Sequence, residues 1–158
     1  MISLRQKISI LHRKIYSEMS PYRYLLDTNI LSDLIKNPAG AAARKIASPS
    51  IEQACCTSLI AACELRYGAC KKGSPVLSAR VEQILAALPV LPLEEETSRH
   101  YAKIRTELER MGQPIGGNDL LIAAHALSMN LAVVTANVRE FSRVPGLIIE
   151  NWLVHGGN

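Results

Sequence analysis

The stretch Tyr24-Leu25-Leu26-Asp27-Thr28-Asn29-Ile30-Leu31 constrains the fold of this chain more than any other. Three apolar residues stop at a carboxylate. After two small polar residues a new pattern begins, with Ile30, Leu31, Leu34 and Ile35 at helical spacing. This predicts a buried strand over 24–26, Asp27 at its C-terminal tip, and a helix capped by Thr28 or Asn29. The same unit returns downstream. Residues 53–58 suit a second buried strand, which leads into a helix capped by Thr57 or Ser58 and interrupted near Gly68. Residues 131–135 form a strongly apolar strand ending in Thr135-Ala136-Asn137, followed by a short helix over 138–141 and a last strand over 147–152. Residues 89–93 carry Pro89 and Pro92, whose missing N–H groups confine that strand to an edge. Further helices are predicted over 41–47, 75–88, 94–111 and from Asn118 or Asp119 onward. Such alternation predicts an α/β fold: one domain, a central parallel β-sheet, and helices on both faces.

In an open parallel sheet, ligands bind in the crevice outside the carboxyl ends of the strands. An Asp at a strand tip is therefore placed for chemistry as well as for capping. The chain has three aspartates, Asp27, Asp33 and Asp119, and two of them stand at helix starts beside fully apolar segments. Asp119 follows the turn Gly116-Gly117 and precedes Leu120-Leu121-Ile122-Ala123-Ala124, which reads as core. Glu64 lies among Ala61, Ala62, Cys63 and Gly68, small neighbours that favour an inward position. Glu94-Glu95-Glu96, by contrast, sits where acids favour a helix N-terminus. His125, six residues past Asp119, falls on a different face of its helix and reads as packing or interface.

Composition excludes more than it selects. Aromatic residues make up 4% of the chain, too few for a base-stacking platform. No apolar run reaches the ~18 residues of a membrane span. The net charge of +4 is concentrated in residues 1–18, where Arg5, Lys7, Arg13 and Lys14 face only Glu18. There Leu4, Ile8, Leu11 and Ile15 form a helical stripe, without the continuous apolar core of a secretory signal. Met19 immediately precedes the first strand, so residues 1–18 are read as a basic, dispensable extension and 19–158 as the domain. Cys55, Cys56, Cys63 and Cys70 lack the CxxC pairs of a zinc site. They are expected to be small buried hydrophobes in a reducing cytoplasm.

Four motifs now stand in order: Leu26-Asp27-Thr28-Asn29; Ala62-Cys63-Glu64-Leu65-Arg66-Tyr67-Gly68; residues 115–124 around Asn118-Asp119; and Arg139-Glu140-Phe141. Each is weak alone, but in register across residues 22–152 they resemble the PIN-domain ribonucleases, specifically the VapC toxins of type II toxin–antitoxin pairs. Residues 134–152 resemble the branch of initiator-tRNA-specific endonucleases. The resemblance implies a Mg2+- or Mn2+-dependent endoribonuclease that cuts tRNA, with Asp27, Glu64 and Asp119 as its acids. It implies a VapB-type antitoxin lying over the groove and a homodimer through the helical face, with no membrane involved. On this reading Asp27 and Asp119 contact the metal, while Glu64 holds metal-bound water or a second ion. Thr135 and Asn137 bond that water or the scissile phosphate, Asn29 and Asn118 support them, and Arg66 meets the RNA backbone. Many relatives carry a fourth acid at the position of Asn137, and its amide brings no charge. Two other classes are weighed: a non-catalytic PIN module acting in assembly, and a receiver- or flavodoxin-like binding domain. The second would need a further Asp after its third strand, where the chain leads only into the helix start at Glu94-Glu95-Glu96, or a Gly-rich phosphate loop, which is not found.

Overall fold

The computed structural model describes residues 1–154, with the backbone only at 13 and 16–18. Helix α1 (Leu4–Met19) is followed by β1 (Tyr24–Leu26), α2 (Thr28–Lys36), α3 (Ala41–Ile46), α4 (Pro49–Glu52), β2 (Cys55–Ser58) and α5 (Leu59–Lys72). Then come α6 (Pro75–Ala87), β3 (Val90–Leu91), α7 (Glu95–Arg110), α8 (Gly117–Met129), β4 (Ala132–Val134), α9 (Val138–Phe141) and β5 (Ile149–Glu150). The strands form one sheet in the order β3-β2-β1-β4-β5, every pair parallel. As expected, the proline-flanked strand β3 lies at an edge. β1 is central, with Leu25 level with Cys56 on one side and Val133 on the other.

Alternation along the strands divides the core in two. Tyr24, Leu26, Cys55, Ala132 and Val134 face one way and pack with Ile30, Leu31, Ala61, Leu65, Val81 and Leu85 of α2, α5 and α6. Leu25, Cys56 and Val133 face the other way, against Ile104, Leu108, Leu120, Ile122, Ala123 and Phe141 of α7, α8 and α9. Each fully buried Leu, Val or Phe contributes about 1.5–3 kcal/mol relative to exposure. Helices thus cover both faces, and all the strand tips emerge along one edge.

Four details differ from expectation. α5 runs unbroken through Gly68 and stops at Gly73, whose φ of 60° forms a left-handed cap. One glycine costs a helix about 1 kcal/mol, and packing of Ala61, Ala62, Leu65 and Ala69 offsets it. Cys63 and Cys70 are exposed because they lie seven residues apart on the outer face of α5; only Cys55 and Cys56 are buried, their thiols pushed up to about 12 by burial. The α2 cap is Asp27 itself, which accepts from the Thr28 N–H. The outer strands are shorter than their apolar runs, two residues each for β3 and β5. Helix α1 forms where its stripe predicted, opened by a capping box between Ser3 and Gln6, and Leu4, Ile8, Leu11 and Ile15 remain exposed.

Candidate active site

The tip of β1 turns straight into α2, so Asp27 sits at the central strand's C-terminal end and is only 3% exposed. Its carboxylate is held on every side. Oδ1 accepts from the Thr28 N–H at 2.8 Å; Oδ2 accepts from the Thr135 hydroxyl at 2.7 Å and the Asn29 amide at 3.1 Å. Asn29 also donates to Thr135 at 3.2 Å and accepts from the Ala136 N–H at 2.9 Å, pinning the start of α2 to the end of β4. Burial raises the Asp27 carboxyl above the ordinary range, the hydrogen bonds oppose that, and the nearby Glu64 charge adds to it.

Glu64 projects from the second turn of α5, where the Thr28 hydroxyl donates to its Oε1 at 2.8 Å. Asp119 stands in the first turn of α8, the positive end of that helix. It is nevertheless the most strained acid of the group. Burial, a hydrogen bond with Glu140 and the charges of Asp27, Glu140 and Glu64 push it up to about 7. The same hydrogen bond holds the Glu140 carboxyl below its ordinary range.

Asp27, Glu64 and Asp119 line a single open cleft of about 460 Å3, together with Thr28, Asn29, Ser32, Asp33, Lys36 and Leu153. No three acidic, histidine or cysteine side chains among the described residues are drawn together tightly enough to enclose an ion unaided. Of the remaining expected residues, Asn29 lines the cleft, while Thr135 is fully buried behind Asp27 with its proton committed to that carboxylate. Asn137 is a correction in detail. Its NH2 donates to Asp119 Oδ2 at 2.9 Å and to Glu140 Oε2 at 3.3 Å, so it bridges two acids, and Asn137 is not among the residues lining the cleft. Asn118 is exposed and outside the lining residues. Arg66 is a second correction: its guanidinium forks onto Glu82 of α6 at 2.8 and 3.0 Å on the outer surface, because α5 turns it away from Glu64.

Three participants were not anticipated. Thr28 orients Glu64, Glu140 borders Asp119, and Lys36 lines the cleft. Each had a signal in the sequence: Thr28 directly follows the strand-tip acid, Glu140 lies one turn past Asn137, and Thr28, Ser32 and Lys36 recur every fourth residue on α2.

Comparison with known proteins agrees with this arrangement. The PIN domain family matches residues 24–147. Ribonuclease VapC2 of Rickettsia felis is 36% identical over 130 residues, covering 82% of this chain and 97% of that protein. The tRNA(fMet)-specific endonuclease VapC of Salmonella typhimurium is 42% identical over 131 residues, covering 82% and 98%. Among solved structures, VapBC2 from Rickettsia felis bound to a promoter DNA fragment aligns with a TM-score of 0.76 at 35% identity, over 82% of this chain and 98% of the matched one. DNA-bound VapBC from Salmonella typhimurium aligns with a TM-score of 0.75 at 37% identity, over 83% and 98%. With its sheet order, its strand-tip acids and these relatives, the chain belongs to the PIN-domain family and, within it, to the VapC ribonucleases.

Proposed function

We propose that this nuclease is the toxin of a toxin–antitoxin pair, a Mg2+- or Mn2+-dependent endoribonuclease that cuts tRNA, with initiator tRNA its first candidate substrate. The observation that carries the reading is the convergence of Asp27, Glu64 and Asp119 on one cleft at the sheet's C-terminal edge. The donor set fits such an ion: hard oxygens only, in an open cleft, where a small cation keeps several waters and needs few protein ligands. Burial above all, then Glu140 and the charges of Asp27 and Glu64, push Asp119 up to about 7, an environment a cation would relieve. When bound, the ion lowers the pKa of an attacking water and neutralises the departing oxygen.

The chain's own residues supply the frame. Asp27 and Asp119 would hold the ion directly, and Glu64, steadied by Thr28, would orient water. Thr135 and Asn29 keep Asp27 in one rotamer. Asn137 ties Asp119 to Glu140 through its NH2 and so would fix the position of Asp119 toward the ion.

The name of the Salmonella relative supports tRNA as substrate, and the solved VapBC neighbours support a VapB-type antitoxin as partner. A segment of that antitoxin lying over the groove, with a basic side chain among the acids, fits the cleft's charge. A cytoplasmic homodimer within the toxin–antitoxin complex completes the proposal. The test is to incubate the chain with total RNA and Mg2+ or Mn2+ and sequence the new ends. Cleavage confined to one tRNA and abolished by EDTA supports the reading, and metal-independent or absent cleavage overturns it.

A further inference from the structure

We propose that Lys36 forms a phosphate subsite beside the acid cleft, holding the RNA phosphate next to the one being cut; this rests on the ribonuclease reading above. A polyanion needs positive charge where it enters. Among the cleft's lining residues Asp27, Asp33, Glu64 and Asp119 are acids, and Lys36 is the one cation. Its side chain is exposed and enters no ion pair among the described residues.

The helix sets the path. Thr28, Ser32 and Lys36 recur every four residues along α2 and all three line the cleft, so two hydroxyls and an ammonium follow one wall. At 1.5 Å per residue that row spans about 12 Å. At its far end the cleft opens into a second hollow of about 490 Å3 over residues 37–41, and the two share Asp33, Lys36 and Leu153. Lys36 therefore stands at the passage between them. A third hollow also touches Lys36, with Thr28, Ser32, Glu64 and Lys72 at its rim, but at about 120 Å3 and with Ile35, Leu65, Ala69, Leu77 and Val81 forming much of its wall it is too small and too apolar for a charged strand. The RNA thus leaves the acids past Lys36 toward residues 37–41. An ammonium is a point charge without a fixed fork, so the contact positions the backbone and reads no base.

The test uses the full chain and an initiator-tRNA transcript as probe. Binding is measured in EDTA over a salt series for wild type, Lys36→Ala, Lys36→Arg and, as an off-site control, Arg66→Ala. One lost phosphate contact on a single strand should lower the slope of log affinity against log salt by about 0.7. Lys36→Ala should show that change, with affinity down roughly three- to tenfold at physiological salt and Lys36→Arg restoring it. Arg66→Ala should follow wild type. The KM for cleavage, followed over the same salt series, reads the same slope if metal-free binding is too weak to measure, while kcat stays within about twofold. A wild-type slope and affinity in Lys36→Ala would overturn the subsite. If wild type cleaves no RNA with either metal, the ribonuclease reading itself has failed, a separate result.

Discussion

Burial and the neighbouring carboxylates push the Asp119 carboxyl up to about 7. Its folded pKa lies above its unfolded one, so this residue's contribution to stability is complete below the ordinary carboxylate range and is lost as pH rises through about 7. Without metal, wild type should therefore lose stability relative to Asp119→Asn between pH 5 and pH 8, by about 1–2 kcal/mol once solvent screening of this half-buried group is discounted. Melting curves at the two pH values read the gap directly, and added Mn2+ should close it. Asp27→Asn, Glu64→Gln and Asp119→Asn should each lower RNA cleavage by about 10²–10³-fold, the size of removing one electrostatic contact to a transition state. Their thermal transitions should survive; an unfolded variant would make that residue structural. Asn137→Asp replaces two donors with a further negative charge beside Asp119 and Glu140. It should lower the metal-free melting temperature and steepen its rise with metal concentration, since a ligand that binds only the folded state stabilises it by mass action. Equal metal dependence in both proteins would remove Asn137 from the site.

Among the elements, α5 and α8 carry the two acids that must meet, and one buried contact joins the helices. His125 of α8 is fully buried and its Nδ1 lies 2.9 Å from the Ser58 hydroxyl, the side chain that caps α5. Its Nε2 has no partner among the described residues, so a charged ring would bury an unmet donor, and burial lowers the His125 pKa. The contribution of a neutral His125 is thus present above its unfolded pKa near 6.5 and is lost as pH falls below it, opposite in sign to Asp119. His125→Ala should cost about 2–4 kcal/mol through the cavity and the lost bond, and should remove the acid-side fall in stability. An unchanged acid limb in a pH series of denaturant melts would show that His125 does not titrate there.

At the scale of the whole molecule, the two core layers lie on opposite faces of the sheet, and α1 stands before the region matched by the PIN family. The apolar stripe of α1 is exposed, so removing residues 1–18 should leave the melting temperature and cleavage unchanged. Loss of cleavage or of antitoxin binding on that deletion would make the extension functional. Co-expression with a VapB-type partner should rescue growth that the toxin alone arrests. A chain harmless on its own would count against the toxin reading.

Local chemistry determined the parts of this protein that repeat. Apolar runs of strand length, helical stripes and strand-tip polar residues were enough to expect a parallel α/β domain, because period and burial are set within a few residues. They also marked Asp27 and Asp119, since an acid beside a wholly apolar segment has few places to go, while Glu64 joined them through the resemblance of its motif. Which neighbours those acids acquired was decided only in three dimensions. Thr135 reaches Asp27 across 108 positions, Thr28 reaches Glu64 across 36, and Asn137 spends its amide on Asp119 across 18. The outward turn of Arg66 and the inward row ending at Lys36 come from how α2 and α5 roll against the sheet, which depends on side chains packed from both layers and not on either helix alone.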